Sequence, residues 1–314
     1  MTSPSLTIGA RPTRGAGPRI VLFVEGGAGD WHARRLTSAL ETRGASVVTA
    51  TLAACAFDTR SRSGLDIPGF DCALPDGAFV RSVSTGTLEQ ITKRLGILHA
   101  LRESGVRVWN DARAIERCVD KSTATFLFQK AGLSTPPTRV VEGRAQAEVH
   151  AAAHSGQLVI KPLFGSQGNG VRRAASAADL PPAEDVNHVY YMQEYLRRSG
   201  ETRFEDWRVF VSRGRVLAAM ARVGKTWITN VHQGARPARI DPDDEMQRLA
   251  LGAVAAIGAD YAGVDLIRDA NGRLMVLEIN SNPAWKGLQS VTDVNIAWTL
   301  AEDFLSAVAE TAKA

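Results

Sequence analysis

The stretch LMVLEINSNPAWKGL, Leu274–Leu288, decides how the second half of this sequence folds. Its first four residues are typical of a buried β-strand. The following positions, which a core strand would fill with apolar side chains, hold a carboxylate and two amides, Glu278, Asn280 and Asn282. Removing a charge from water is strongly unfavourable unless something pairs with it. The sequence therefore predicts a partner for Glu278.

The residues just before this stretch supply a second carboxylate for the same place. Residues 261–280 have the pattern of a β-hairpin whose turn is Asn271-Gly272. A two-residue turn sets Asp265 directly opposite Glu278. A four-residue turn would shift the pairing by two positions, which leaves every side chain on the same face.

Side chains alternate along a strand, so Asp265, Glu278 and Asn280 are expected on one face, with Leu277 and Ile279 on the other. Without a cation, two buried carboxylates would repel each other and one would take up a proton. Two carboxylates and an amide oxygen are ligands that suit Mg²⁺. The alternative is two separate carboxylates, each solvated at a sheet edge.

The chain as a whole has a globular composition, with 314 residues, 45% hydrophobic and 22% charged. This length suits two or three packed subdomains. No apolar segment approaches the ~20 residues that cross a bilayer, so no membrane partner is expected. The cysteines, Cys55, Cys72 and Cys118, have neither paired nor metal-ligand spacing, which predicts reduced thiols in a cytoplasmic protein.

The formal net charge of +4 suits an anionic ligand such as a nucleotide or a carboxylate-rich substrate, although genome composition explains the arginines equally well. Nucleic acid is not expected as a partner, because no basic block with interleaved aromatic side chains is present.

Four segments are predicted from the order of patterns. Residues 1–18 lack the apolar core of a signal peptide and are expected to form a disordered tail. Strand and helix patterns alternate over residues 19–115, which predicts a parallel α/β layer. An α+β unit with a glycine-rich loop is expected over residues 116–192, and a second one with the carboxylate pair over residues 193–314.

Two helices in these units have clear start signals. Asp120 is predicted to cap a helix over Lys121–Lys130. Asp241 is predicted to cap a later helix that begins with Pro242.

The glycine-rich segment VIKPLFGSQGNGV places Lys161 at the end of an apolar strand, before Gly165, Ser166, Gly168 and Gly170. Glycines allow backbone N–H groups to approach an anion closely, and a lysine there can bind phosphate. An ordinary glycine-rich hairpin is the alternative.

Two other glycine motifs fail. VGKT at residues 223–226 lacks the first glycine of a Walker loop, since Ala219 stands there. VEGGAGDWH has His32 where a dinucleotide fingerprint has its third glycine.

Two further features are weak by themselves. Lys121 at a helix start is either a phosphate ligand or a solvated side chain. The segment Gln193, Glu194, Tyr195 and Leu196 follows an aromatic strand and could present backbone groups to an adenine edge, or could simply continue the strand.

In order along the chain stand Asp120-Lys121, Lys161-Pro162 with its glycine loop, QEYL, DWRVFV, TNVHQGA, GVDLI and LEINSNPAWKG. This ordered set resembles the ATP-grasp superfamily, and closely its RimK-like branch of glutamate ligases, over roughly residues 110–301. The resemblance implies an N-terminal α/β (pre-ATP-grasp) domain plus an α+β ATP-grasp domain of two subdomains that clasp ATP between them.

The resemblance also implies roles for individual residues. Lys121 and Lys161 are similar to the phosphate-binding lysines, and Glu194 with Tyr195 to the hinge that holds adenine. Asp206 stands at the ribose position, Ile228, Thr229 and Asn230 match the segment near the phosphates, and Asp265, Glu278 and Asn280 match a ligand set for two Mg²⁺ ions, which Mn²⁺ can replace.

In such a family a substrate carboxylate attacks the γ-phosphate and an amine then displaces phosphate from the acylphosphate. Both steps build negative charge, which metals, Lys161 and an arginine would stabilise. We predict Arg222 as that arginine, with Arg208 as its helper, because both lie on paired strands facing the site.

The acceptor side departs from the family pattern at Ala284 and Ala235, where glycine is common. Asn282, Trp285 and Lys286 are the residues expected to contact the substrate there. An alanine that replaces a positive-φ glycine would reshape this side.

The resulting hypothesis is an ATP-dependent carboxylate–amine ligase that adds L-glutamate, or another amino acid, to a small-molecule carboxylate such as a pterin, furan or deazaflavin coenzyme. One alternative adds glutamate to the C-terminus of a ribosomal protein. A second keeps the fold but joins another amine, as a dipeptide or amino-sugar ligase does, and a third is a non-catalytic ATP-binding module. The resemblance also allows a homo-oligomer.

Overall fold

Alternating strands and helices begin the fold, as the sequence pattern predicts. The computed structural model describes residues 17–25, 29–165, 168–196 and 204–313. The first elements are β1 (Arg19–Phe23), α1 (Trp31–Thr42), β2 (Ser46–Ala50), β3 (Ala56–Phe57), β4 (Leu65–Asp66), β5 (Gly77–Val80), α2 (Leu88–Glu103) and β6 (Arg107–Trp109).

The middle of the chain supplies a second set of elements. They are α3 (Ala112–Val119), α4 (Lys121–Lys130), β7 (Thr138–Glu142), α5 (Arg144–Ala153), β8 (Leu158–Lys161), β9 (Arg172–Ala174) and β10 (Val189–Glu194).

The last set carries the residues of the opening stretch. It consists of β11 (Phe204–Ser212), β12 (Arg215–Gly224), β13 (Arg236–Ile240), α6 (Asp244–Ile257), β14 (Tyr261–Arg268), β15 (Leu274–Asn280), α7 (Lys286–Gln289) and α8 (Ile296–Thr311).

Three main sheets organise these elements. The N-terminal sheet is parallel, in the order β2-β1-β5-β6, which confirms the predicted α/β layer. The second sheet, β7-β10-β8-β9, and the third, β13-β12-β11-β14-β15, are antiparallel. The fold class is therefore the expected one, an α/β domain followed by two α+β units.

The boundary expected between residues 192 and 193 falls inside a strand. β10 continues through Glu194, so Gln193 belongs to the second sheet. The end of the chain also packs differently from the expected division, because α8 lies on the N-terminal layer. Leu300 and Phe304 of α8 share a core with Leu36 and Phe79 of that layer, and the same core includes Phe210 of β11, so α8 packs between the N-terminal layer and the third sheet.

Helix starts follow the predicted chemistry in one case and not in the other. Asp120 caps α4, accepting from the backbone N–H groups of Ser122 at 2.9 Å and Thr123 at 3.3 Å. The predicted cap Asp241 is wrong, because Asp243 accepts from the N–H of Met246 at 2.8 Å and α6 begins after it.

Within the described ranges, no helix is both long and apolar enough to cross a membrane. The predicted tail lies almost entirely outside those ranges, since residues 1–16 are not described.

Candidate active site

The β14–β15 hairpin confirms that Asp265 faces Glu278, but by an unexpected route. The connection is residues 269–273, longer than either predicted turn, and it pairs Arg268 with Leu274. A bulge between Asp265 and the next residue then shifts the register by one, so Asp265 still lies opposite Glu278. The two carboxylates share one site because the bulge offsets the longer turn.

The same bulge changes the face of one apolar residue. Leu277 has no partner on β14 and lines the cleft beside Glu278. Its predicted position on the opposite face was therefore wrong. Ile279, by contrast, is 3% exposed and packs in the core, as predicted.

Two arginines hold the Asp265 carboxylate. Arg208 Nε and Nη2 donate to its two oxygens, each at 2.7 Å, and Arg222 Nη2 donates to Oδ2 at 2.9 Å. Burial opposes ionisation of Asp265, but the two guanidinium groups outweigh it and lower its pKa to about 2. Asp265 is therefore an anion with a fixed orientation at neutral pH.

Asp206 forms the next part of this network. Its oxygens accept from Arg222 Nε at 2.7 Å and Nη2 at 2.6 Å, and from Thr229 Oγ1 at 2.6 Å. Burial raises the pKa of Asp206, while Arg222 opposes that rise. Asp206 thus holds an arginine and the 228–230 segment together, and its predicted contact with ribose stays a prediction.

The donor set fits the expected Mg²⁺. An ionised carboxylate has about four lone-pair positions, and three N–H groups occupy three of those on Asp265. Asn280 Nδ2 lies 3.4 Å from Glu278 Oε1, and within the described residues the Asn280 amide oxygen accepts no hydrogen bond. Hard oxygen ligands are therefore available on all three residues.

Both predicted lysines reach the same cleft. Lys161 is 8% exposed and donates to Gln193 Oε1 at 2.8 Å. Lys121 donates to the carbonyls of Leu163 at 3.2 Å and Gly165 at 3.0 Å. Burial lowers the pKa of each lysine, and the Glu278 carboxylate opposes that shift in both. Glu278 therefore faces two ammonium groups as well as Asp265.

The glycine loop lies against the second antiparallel unit. Gly168 has φ +72°, and a Cβ there would stand 2.8 Å from Gln233 Nε2 and 3.0 Å from Ile228 Cγ2. Gly170 has φ +71° and contacts Pro162, while the predicted ligand Ser166 lies outside the described residues. The absence of side chains is what allows the loop to approach this closely.

The predicted adenine hinge has fewer free backbone groups than expected. The N–H groups of Glu194 and Tyr195 are already donated to Pro137 O at 2.8 Å and Gln157 O at 2.9 Å. In the described part of the chain, Leu196 is the first residue of this segment whose N–H is not used in this way. In the described chain, the N–H of Leu196 is therefore the one of these three that is left to donate to a base edge.

The parts converge on one cleft of about 950 Å³, open solvent at its mouth included. The predicted site residues that line it are Lys121, Lys161, Gly165, Gly168, Gln193, Glu194, Tyr195, Leu196, Asp206, Arg222, Ile228, Thr229, Asn230, Asp265 and Glu278. Those that the structure describes but does not place on its wall are Gly170, Arg208, Asn280, Asn282, Trp285 and Lys286.

Sequence reasoning missed the apolar part of the cleft. Trp227 lines it together with Pro136, Val159 and Ile267. Arg173 of β9 lies 5.2 Å above the rings of both Trp227 and Tyr195, so it joins the two antiparallel units at the mouth. The sequence signal was Trp227 itself, an aromatic residue between the VGKT segment, considered only as a failed Walker loop, and Ile228.

The expected acceptor residues follow the end of β15 and do not line the cleft. The Trp285 ring is fully buried in the core shared with Phe210, so it is a packing residue, and a contact with the acceptor through that ring is not supported. Lys286 is exposed, and Asn282, with its amide turned to donate, reaches Val80 O at 2.7 Å. For Asn282 and Lys286, substrate contact stays a prediction.

Known proteins with similar sequences include ligases. Residues 118–304 match the RimK-like ATP-grasp domain. The tetrahydromethanopterin:alpha-L-glutamate ligase of Methanococcus maripaludis is 33% identical over 256 residues, which cover 80% of this chain and 83% of that one. A probable alpha-L-glutamate ligase of Legionella pneumophila is 32% identical over 250 residues, covering 77% and 78%.

Solved structures agree in fold. The ATP-grasp ligase PsnB, complexed with precursor peptide PsnA2 and AMPPNP, matches 95% of this chain and 100% of its own with a TM-score of 0.70 at 20% identity. PsnB complexed with minimal precursor, Mg and ADP gives a TM-score of 0.68 at 21% identity, covering 94% and 98%. At these identities the likeness concerns the fold.

Proposed function

Because the chain belongs to the RimK-like ATP-grasp family, we propose that this ATP-dependent, amide-forming ligase adds L-glutamate to the carboxylate of a small-molecule acceptor. The observation that carries the proposal is the position of Glu278. It faces Asp265, Lys121 and Lys161 in one cleft, which is the charge arrangement needed to hold a metal-bound nucleotide triphosphate.

The reaction has two steps. An oxygen of the acceptor carboxylate attacks the γ-phosphorus of ATP, the bond to the β,γ-bridging oxygen breaks, and ADP leaves with that electron pair. The amino group of glutamate then attacks the acyl carbon, phosphate leaves, and the nitrogen gives up a proton as the amide forms. Neither step needs a protein nucleophile, so positioning and charge neutralisation carry the catalysis.

The protein's own groups divide this work. Asp265, Glu278 and Asn280 would hold up to two Mg²⁺ ions, or Mn²⁺ in their place, which neutralise phosphate charge when bound. Lys161, fixed by Gln193, would bind the transferred phosphate. Arg222 and Arg208, the predicted catalytic arginines, both donate to Asp265 and so orient that carboxylate.

The acceptor is proposed from the relatives. The Methanococcus maripaludis protein is named for tetrahydromethanopterin and aligns over most of both chains, so a pterin coenzyme is the preferred acceptor. Furan and deazaflavin coenzymes share the terminal carboxylate that the chemistry requires and form the rest of the candidate set.

The test is turnover of Mg²⁺-ATP with L-glutamate and a panel of pterin, furan and deazaflavin acceptors, followed by release of ADP and by product mass. The expected result is ADP release that requires both glutamate and one acceptor, with product mass rising by one glutamyl residue. Glu278→Gln serves as the inactive reference.

A parallel reaction contains ribosomes instead of coenzymes. ADP release only in the reaction with ribosomes would reject the small-molecule acceptor and assign the enzyme to protein modification. Release with an acceptor and another amino acid, but not with glutamate, would reject the amine.

A further inference from the structure

Arg81 is a buried cation with no acidic partner among the described residues. It is 8% exposed, its Nη1 donates to Pro283 O at 3.3 Å, and its Nε is buried with no hydrogen bond in the described chain. No carboxylate of the described residues lies within ion-pair distance of it. Arg222, 4% exposed, pairs with two carboxylates. Because a desolvated guanidinium needs a counter-charge, Arg81 is expected to find one outside the protein.

A comparison with Arg94 supports this view. Arg94 is equally exposed, at 8%, and also lacks an ion pair in the described residues. It donates instead to the carbonyls of Ser84 at 2.8 Å and Thr85 at 3.0 Å. Arg94 therefore has a structural role that accounts for its burial, whereas the described partners of Arg81 are all uncharged: Pro283 O at 3.3 Å, the Tyr261 hydroxyl and the Trp285 ring.

The position of Arg81 in the sheet is one where ligands bind. It directly follows β5, and β5 and β1 are the neighbours between which the strand order of the parallel sheet reverses. Glu25 N–H donates to Ser82 Oγ at 2.8 Å and joins the loops that follow these two strands. In open parallel sheets, ligands occupy the crevice at the carboxyl ends of strands at such a point.

Pro283 connects Arg81 to the active site. It follows Glu278 by five residues, a span of at most about 18 Å. A Cβ at Gly263 would stand 2.9 Å from Pro283 Cβ and 3.6 Å from Arg208 Cδ, and Arg208 holds Asp265. Pro283, and Arg81 bonded to it, therefore lie on the face of the third sheet that carries Asp265.

Lys286 supplies a second positive charge near His32, on which Arg81 also acts. The Arg81 guanidinium covers the Trp285 ring at 4.6 Å, and the exposed Lys286 is the next residue. His32 contacts the same ring at 4.7 Å, but burial and Arg81 lower the pKa of His32 to about 4, so it is neutral at pH 7. The positive charge around the Trp285 ring therefore comes from Arg81, which stacks on that ring, and from Lys286.

We infer that Arg81 and Lys286 bind a substrate carboxylate that does not react, with Arg81 as the fixed bidentate contact and Lys286 as a mobile one. The inference rests on the proposed ligase function and deepens it. The carboxylate belongs either to the amino acid or to the acceptor, since glutamate carries two carboxylates and an acceptor can carry a second one. A planar guanidinium suits this group better than an ammonium does.

The test compares Arg81→Gln, Arg81→Lys and Lys286→Gln with two controls, Arg94→Gln for loss of a buried arginine and Lys130→Gln for loss of an exposed lysine. Steady-state ADP release is measured with glutamate, acceptor and ATP varied in turn. Arg81→Gln is expected to raise the KM of one carboxylate substrate by about 30-fold or more, as loss of a charged hydrogen bond does, and to leave the KM for ATP within about twofold. Arg81→Lys should be intermediate, and Lys286→Gln should raise the same KM to a smaller extent.

A rise confined to glutamate assigns the carboxylate to the amino acid, and a rise confined to the acceptor assigns it to the acceptor. Unchanged KM values for both in folded Arg81→Gln would overturn the inference while leaving the ligase function intact. If Arg81→Gln does not fold, unchanged values in both Arg81→Lys and Lys286→Gln would overturn it.

If the wild type releases ADP with no combination of amino acid and acceptor, the proposed function is rejected, and this result by itself does not test the inference. Calorimetric titration with glutarate then decides the inference. Binding to the wild type that is lost in Arg81→Gln and retained in Arg94→Gln supports it, and absence of binding to the wild type rejects it.

Discussion

Arg222 illustrates how one residue can serve two carboxylates and so fix an active site. Its guanidinium joins Asp206 to Asp265, and Arg208 holds Asp265 from another direction. Although burial opposes it, the two carboxylates raise the pKa of Arg222, which stays charged. The role predicted for Arg222, direct stabilisation of the transferred phosphate, has to be combined with this fixed role in orienting Asp265.

Glu278→Gln tests the metal site at the scale of one atom. The amide has the shape of the carboxylate but lacks its charge, so Mg²⁺ affinity and turnover should fall. Loss of a group that only orients a metal ligand lowers metal affinity or activity by about 10- to 100-fold. Loss of the ligand itself should lower turnover by at least about 100-fold. ADP release measured against Mg²⁺ concentration checks this, with the exposed Glu302→Gln as control. Normal turnover by Glu278→Gln would reject the metal site.

Lys161→Met tests the phosphate contact. Methionine retains much of the side-chain volume but removes the charge that lies near Glu278, so kcat/KM for ATP should fall by about 100-fold. Lys130→Met removes an exposed lysine from the end of α4 and should behave as the wild type. If the two variants were kinetically alike, the glycine-rich segment would be an ordinary hairpin.

The N-terminal cap of α4 sets the position of Lys121. Asp120 caps α4 and additionally accepts from the hydroxyls of Ser122 and Thr123, each at 2.5 Å. Lys121 is the first residue of α4, so the cap fixes the start of its side chain.

Asp120→Ala should destabilise the protein by about 1 to 2 kcal/mol through loss of this cap and should raise the KM for ATP severalfold. Asp243→Ala removes the cap of α6 and is expected to match the stability loss without changing that KM. Thermal unfolding and steady-state kinetics of both variants separate the two effects. Equal KM values would mean that Lys121 is not a nucleotide ligand.

Gly168→Ala tests closure of the glycine loop. Alanine at φ +72° costs about 1 to 2 kcal/mol, and its Cβ would crowd Gln233 and Ile228. Gly272→Ala, at φ +82° in open space, is the matched control for backbone strain alone. We expect similar losses in unfolding free energy and a higher KM for ATP in Gly168→Ala only. A raised KM in both would point to strain rather than to contact.

At the scale of the molecule, the N-terminal layer is locked to the carboxylate-bearing sheet. The fully buried Asn110 donates to Tyr261 O at 2.8 Å and Ser281 O at 2.7 Å, and its Oδ1 accepts from the N–H of Asp260 at 2.7 Å. Tyr261 OH donates to Val80 O at 2.8 Å, next to Arg81. The proposed carboxylate contact and the metal site are thereby held in one rigid arrangement.

Asp260 in this junction predicts an unusual pH dependence. Burial raises its pKa to about 6, although Arg107 opposes the rise. A raised pKa means that the folded state binds the proton more tightly than the unfolded state, so this contribution to stability is lost as pH rises through the interval from about 4 to about 6. Asp260→Asn removes the effect and should gain up to about 3 kcal/mol relative to the wild type between pH 4 and pH 7.

Denaturant unfolding at both pH values measures this difference. Asp293→Asn, in an exposed pair with Arg239, is the control and should follow the wild type. A relative loss for Asp260→Asn as pH rises would show that Arg107 outweighs burial.

Much of this site can be predicted from the sequence alone. Asp265, Glu278, Lys161 and the glycines are chemically conspicuous at their positions, and their ordered spacing identifies the fold class. The start of α4 at Asp120 was equally readable, because a cap is a local interaction. The start of α6 was misplaced because three acids, Asp241, Asp243 and Asp244, can each supply a capping oxygen.

The sequence by itself determined the strand alternation and the fold class, since these follow from local periodicity and residue chemistry. Tertiary structure alone decided the bulge that turns Leu277 into the cleft and sets Asp265 opposite Glu278, the packing of α8 on the N-terminal layer, and the distance of Arg81 from every acid of the described residues. The physical reason is that burial and pairing depend on residues far apart in the chain. No local pattern reports whether a distant carboxylate will arrive beside a buried guanidinium.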